Sequence, residues 1–239
     1  MAIATPTFTG FEHDAIDFLA ELASNNDREW FNPRKAEYER LLKAPMEALV
    51  AGLAERLEAR DIPLRADPKR SIFRIYRDTR FAKDKSPYKT NLGASFPWLR
   101  HGPDGQPVVA EGMAHANGGY FNFQPGEMYV GGGMWMPEKA RLDAFRRAVV
   151  DEPDRVRDAL EEPGFAAAFG AVSAHEHLKR VPPGFPPDHP NADLLRYKDV
   201  VFGRHLSDDE VLSPDLPDTL ADAYAAGMPV FRFLDTIQA

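Results

Sequence analysis

The sequence predicts an α+β fold: an N-terminal helical layer, a central and mainly antiparallel sheet, and helices again at the C-terminus. Two observations carry this. Apolar residues recur at helical spacing over the first 60 positions, and the texture then changes to β-branched and aromatic runs with turn signals between them. No alternating strand–helix series appears, so a parallel βαβ sheet is not expected.

The helices come first. Ala15, Phe18, Leu19 and Leu22 mark one face of a helix over 12–24, stopped at Asn25-Asn26, where asparagine tolerates a C-cap conformation. Asn32-Pro33 offers an N-cap followed by proline at the first helical position. Tyr38, Leu41 and Leu42 continue that helix to Lys43, Pro45 restarts or kinks it, and Met46, Leu49, Val50, Leu53 and Leu57 carry it to about Arg60. Ser71 to Tyr76 then reads as a half-buried strand, with Phe73 and Ile75 alternating against Arg74 and Tyr76. Leu92 to Trp98 is a second strand, and Gly-Pro-Asp-Gly at 102–105 is a turn signal. Gly118–Gln124 and Glu127–Trp135 form a hairpin around Pro125-Gly126, the 118–135 unit.

Helices resume at Pro137, with Leu142, Phe145 and Val149 facing inward and Arg141, Arg146 and Arg147 on the polar side. Further helices are expected at Pro153–Glu161, Asn191–Lys198, Asp218–Ala226 and Met228–Ile237, and a proline-rich surface loop at Val181–Pro190. No internal repeat and no low-complexity linker divides the chain, so residues 1–239 are expected to form one domain.

Composition narrows the function. The 239 residues contain no cysteine, which removes disulfides, thiolate metal sites and cysteine nucleophiles and fits a reducing compartment. The start lacks the basic and apolar regions of a signal peptide, and the longest apolar run, Phe165–Val172, falls far short of the ~20 residues that span a bilayer. A cytoplasmic protein without membrane attachment is the expectation. Net charge is −8, which argues against nucleic acid or anionic membrane as a general partner. Yet Lys69–Lys89 holds eight Lys or Arg against Asp78 and Asp84, a local +6 that leaves −14 on the rest.

That segment is the leading site candidate. In an extended chain Arg74, Tyr76, Asp78 and Arg80 would share one side, and Arg77 would fall with Phe73, Ile75 and Phe81 on the apolar side. An arginine there must be paired or must reach a ligand, because a buried unpaired guanidinium is costly. One reading is an anion site, since guanidinium forks fit carboxylate and phosphate oxygens. Arg74, Arg77, Arg80, Lys83, Lys85 and Lys89 would supply charge, Asp78 and Asp84 would orient them, and Tyr88 would stack or hydrogen-bond. The other reading is an internal ion-pair network. Flanking arginines should lower the Asp78 pKa, which suits an orienting role better than that of a general base.

Other motifs carry less. His175-Glu-His177, with His189 and His205, lacks metal-ligand spacing, and no metal site is assigned. Gly131-Gly-Gly133 has neither a P-loop nor a dinucleotide fingerprint and reads as close packing, with Tyr120, Tyr129 and Trp135 at its border. Trp30 and Phe31 are core anchors, although Asn25, Asn26 and Lys35 would line any cleft facing the basic segment. No Ser–His–Asp arrangement or Gly-x-Ser-x-Gly motif is present, so no reaction and no cofactor follow. A runner-up reading makes the basic segment a docking face for protein or single-stranded nucleic acid, with Phe73, Tyr76, Phe81 and Tyr88 between the cations.

These residues together resemble a family of bacterial and fungal proteins catalogued as domain of unknown function 2461. The resemblance runs through Gly10-Phe11, Phe18-Leu19, Asn25-Asn26, Trp30-Phe31, Lys35 and Tyr38. It continues through Arg74-x-x-Arg77-Asp78-x-Arg80-Phe81-x-Lys83-Asp84-Lys85-x-Pro87-Tyr88-Lys89, then Gly131-Gly-Gly133 with Trp135 and Pro137, and Leu178–Pro182. It implies a single domain and transfers no catalytic residue.

Overall fold

Each layer forms because one face of its elements is apolar. A computed structural model describes residues 7–101, 106–109 and 117–237. The N-terminal layer holds α1 (His13–Ser24), α2 (Arg28–Phe31), α3 (Lys35–Tyr38) and α4 (Ala44–Ala59). In α1 the expected stripe of Ala15, Phe18, Leu19 and Leu22 is buried. Asp27 caps α2 by accepting from the Trp30 N–H at 2.8 Å. Between α3 and α4 the chain stays helical through a wide turn at Glu39–Lys43. Pro45 lies at the start of α4, just after that turn, where its missing N–H is accommodated.

The described residues form six strands: β1 (Leu92–Pro97), β2 (Leu99–His101), β3 (Pro107–Val109), β4 (Gly118–Phe123), β5 (Tyr129–Met134) and β6 (Val200–His205). Four of them form an antiparallel sheet in the order β1-β4-β5-β6, and β2 and β3 pair separately. The 118–135 hairpin is β4–β5, turning at Gly126 with φ +77°. The strand β6 had no counterpart in the sequence reading. It completes the sheet by pairing its Gly203 with Gly131.

The C-terminal helices are α5 (Lys139–Asp151), α6 (Pro153–Leu160), α7 (Pro163–Phe169), α8 (Ala192–Leu195), α9 (Asp208–Leu212), α10 (Leu216–Ala226) and α11 (Met228–Thr236). The helix expected at 191–198 shrinks to the four residues of α8, while α7 and α9 are additions. In α9 the Ser207 hydroxyl and the Glu210 carboxylate cap each other's backbone. Two arginines expected on the polar side of α5 are buried instead: Arg141 donates to the Leu234 carbonyl at 3.0 Å, and Arg146 to those of Leu195 and Tyr197 at 2.9 Å. Backbone carbonyls in loops and at helix ends, and for Arg146 also the Asp143 carboxylate at 2.8 Å, hold them there.

The core is one cluster of buried side chains running from Phe8 to Ile237. It fills the space between the sheet and the surrounding helices, and the rings of α10 and α11 press directly on sheet glycines. A Cβ at Gly119 would come within 2.8 Å of the Tyr224 ring, and one at Gly132 within 2.5 Å of Phe231. Gly133 adds a backbone reason, with φ +118°. No helix among the described residues is long and apolar enough to cross a membrane. The start of the chain at 1–6 and the Gly-Pro-Asp-Gly turn expected at 102–105 lie outside the described residues.

Candidate functional site

The basic segment does not form the strand expected over Ser71–Tyr76. It begins beside β1, with the Phe73 N–H donating to Gly93 O at 2.9 Å and the Ser95 N–H to Ser71 O at 3.0 Å. It then changes partner: the Lys89 N–H donates to Ile75 O at 2.7 Å and the Arg77 N–H to Pro87 O at 2.9 Å. The chain thus doubles back on itself, closed at its neck by the Tyr76–Tyr88 bridge. Strict alternation ends there. Ile75 is buried, but Phe73 is 39% exposed and Phe81, near the loop tip, 95%.

Inside the loop, side chains pair locally. Asp84 accepts from the Ser86 N–H at 2.9 Å, the Ser86 hydroxyl at 2.6 Å and the Arg77 guanidinium. These donors, Ser86 first, hold its carboxyl well below the ordinary range. Asp78 accepts from Arg80 Nη2 at 2.6 Å and Nε at 3.0 Å, which lowers its pKa as expected for an orienting group. Lys85 donates to Thr79 O at 2.9 Å. For Arg77, Arg80 and Lys85, then, the ion-pair and loop-stapling reading describes what the side chains do. Arg74 and Lys83 are exposed and make no hydrogen bond or ion pair with the described residues.

Behind the neck lies an open cleft of about 390 Å³, walled by Arg77, Asp84, Ser86, Tyr88, Lys89 and Asn91 together with Asn26 from the turn after α1. Asn26 grips the motif as a neighbouring strand would. Its amide Nδ2 donates to Tyr88 O at 3.0 Å, and its Oδ1 accepts from the Tyr88 N–H at 3.0 Å. Tyr88 turns its ring inward, 2% exposed and stacked on Phe31 at 4.1 Å, so its part in the cleft is that of a wall. Burial raises its phenol pKa.

Lys89 differs from Arg77, the other cation lining the cleft. Its ammonium sits 5.0 Å from the centroid of the Phe73 ring and pairs with no carboxylate among the described residues. Burial, and then the nearby Arg74 charge, push its pKa down. Beside it, Asn91 Nδ2 donates to Asn122 Oδ1 at 2.7 Å, Tyr120 donates to the same oxygen at 3.1 Å, and Asn122 Nδ2 donates to Glu127 O at 2.8 Å.

The structure therefore brings Arg77, Asp84, Tyr88 and Lys89 to one cleft and leaves Arg74, Asp78, Arg80, Lys83 and Lys85 off its walls. Of the turn residues, Asn26 lines it; Asn25 bonds back to Glu21 O, and Lys35 is exposed elsewhere. Asn91 and Asn122 were not singled out from sequence. Their only signal is a polar residue at the mouth or on one face of an otherwise apolar strand. Of the histidines singled out, His175 meets Trp135 and His177 meets Tyr197, both at 5.0 Å, His205 meets Tyr129 at 5.9 Å, and His189 accepts from the Asn191 N–H at 3.1 Å. Among the described residues no metal-holding group of three is assembled.

Fold and site define an α+β protein whose four-stranded antiparallel sheet carries helices on one face and, at its β1 edge, a doubled-back basic motif. The chain belongs to the family described as Conserved hypothetical protein (DUF2461), which matches residues 14–233. No curated protein and no solved structure matches the chain.

Proposed function

We propose that the cleft binds a small anion, phosphorylated or carboxylated, with Lys89 as its charge partner. The observation that carries this is the contrast among the cleft's cations: Arg77 has Asp84, whereas Lys89 is partly withdrawn from water without a carboxylate. Desolvating an ammonium is unfavourable, and an arriving anion offsets that cost. Arg74 adds a second positive field, and the side chains of Asn26, Ser86 and Asn91 give polar contacts at the rim. An internal network accounts for Arg77 and Arg80 and leaves Lys89 unexplained. We assign a binding role and no reaction, in a protein we take to be cytoplasmic and built as one domain.

The test is a thermal-shift titration with inorganic phosphate and citrate. An anion at 100 times its dissociation constant adds about 2.7 kcal/mol, roughly 5–10 °C for a chain of this size. Lys89→Met should abolish the shift while Arg80→Ala keeps it. A Lys89→Met protein that still responds fully would end this reading. The runner-up, a docking face for protein or nucleic acid, draws on the exposed Tyr76 and Phe81 and predicts binding that weakens steeply with salt.

A further inference from the structure

Three side chains converge beside Lys89 on a position that has none. A Cβ at Gly93 would lie 3.2 Å from Phe73 Cδ2, 3.4 Å from the Tyr120 hydroxyl and 3.6 Å from Asn91 Nδ2. Asn91 and Lys89 line the cleft, and the Phe73 ring stands outside its walls, in contact with the Lys89 ammonium. The Phe73 and Tyr120 rings are 6.3 Å apart and inclined by only 32°, forming a ledge, and Phe73 keeps 39% of its surface exposed. An exposed ring with an ammonium over it, paired with no carboxylate among the described residues, is a two-part receptor: a flat apolar surface and a positive charge 5.0 Å from its centroid. The Asn91 amide stands at its margin, suited to the polar edge of a heterocycle.

Resting on the anion reading above, we infer that the ligand joins a planar aromatic ring to its anionic group, as a nucleoside monophosphate does, with the ring on Phe73 and the anion at Lys89. A mononucleotide fits better than a polymer, because Lys89 is the one cleft cation that pairs with no carboxylate among the described residues and the chain outside the 69–89 segment carries −14.

The experiment compares ribose 5-phosphate, adenosine monophosphate and a short oligodeoxynucleotide by calorimetry on the full chain. Adenosine monophosphate should bind at least about fivefold more tightly than ribose 5-phosphate, the lower end of what base stacking on an aromatic side chain contributes. Phe73→Leu should bring that ratio close to one. Gly93→Ala, which crowds the ring from beneath, should lower it as well and covers the case in which one variant folds poorly. If both phosphates bind equally to the unmodified protein and Lys89→Met loses both, the ring inference is overturned and the anion reading survives. If neither phosphate binds, both fall. An oligonucleotide that binds more tightly than the mononucleotide, with affinity falling steeply in salt, overturns the small-ligand class in favour of a single strand.

Discussion

The basic loop at 77–87 and the glycine triplet at 131–133 are held by opposite means. The loop keeps its shape through polar side chains in water: Arg77 on Asp84, Arg80 on Asp78, Lys85 on a carbonyl. The triplet keeps its shape because it has no side chains, so that Phe231 and the neighbouring backbone occupy the space. Exposed ion pairs contribute little to stability, whereas a filled core tolerates almost no added volume. The contrast separates two jobs. The triplet secures the sheet, and the loop displays paired charges at its edge.

The sharpest way to break the contrast is Gly132→Val. Its branched side chain would meet the Phe231 ring and the Gly118 carbonyl, at a cost of about 3 kcal/mol, the upper end for overpacking, and a melting point lower by roughly 6–12 °C. A stable Gly132→Val protein would show that the sheet can yield there. Asn26→Ala comes next, since it strips both hydrogen bonds from Tyr88 and leaves an N–H and a C=O partly buried. A loss of about 2 kcal/mol is expected by denaturant titration, with a weaker phosphate response.

The core also makes a prediction about alkali. Burial, reinforced by Tyr76, pushes the Tyr38 phenol up to about 12, while an unfolded tyrosine ionises near 10. Because its folded pKa is raised, its stabilising contribution is complete below pH 10 and is lost as pH rises from about 10 towards 12. Melting temperature against pH should fall through that window, and a flat profile would contradict the burial of this ring. The smallest effect belongs to the loop: Arg80→Ala should leave melting unchanged within error, because its pair with Asp78 is exposed. A clear drop would mean that the loop has a structural task the geometry does not show.

Legibility divides along the same line. Helix α1, the stripe of α4 and the β4–β5 hairpin follow from local spacing, since their burial is settled by neighbours three or four residues away, or by two strands joined through one turn. Strand β6 does not, because Val200–His205 is made a strand by pairing with Tyr129–Met134, far back in the chain. Arg141 and Arg146 look like surface residues until the carbonyls of Leu234, Leu195 and Tyr197 arrive to bind them. In the candidate site, the charges were legible and their pairing was not. Only the fold back at Tyr76–Tyr88 sets Arg77 against Asp84 and leaves Lys89 on the far side of the neck.

The grip of Asn26 on Tyr88 joins positions 62 residues apart. A loop of that size closes only at an entropic cost, which local contacts within 69–89 cannot recover. The cleft is therefore complete only once the turn after α1 has docked on a motif translated well after it. A synthetic peptide of residues 69–89 would carry every charge of the motif but neither the Asn26 grip nor the Asn91 wall of the cleft. It should attract anions in proportion to their valence, without preference among them.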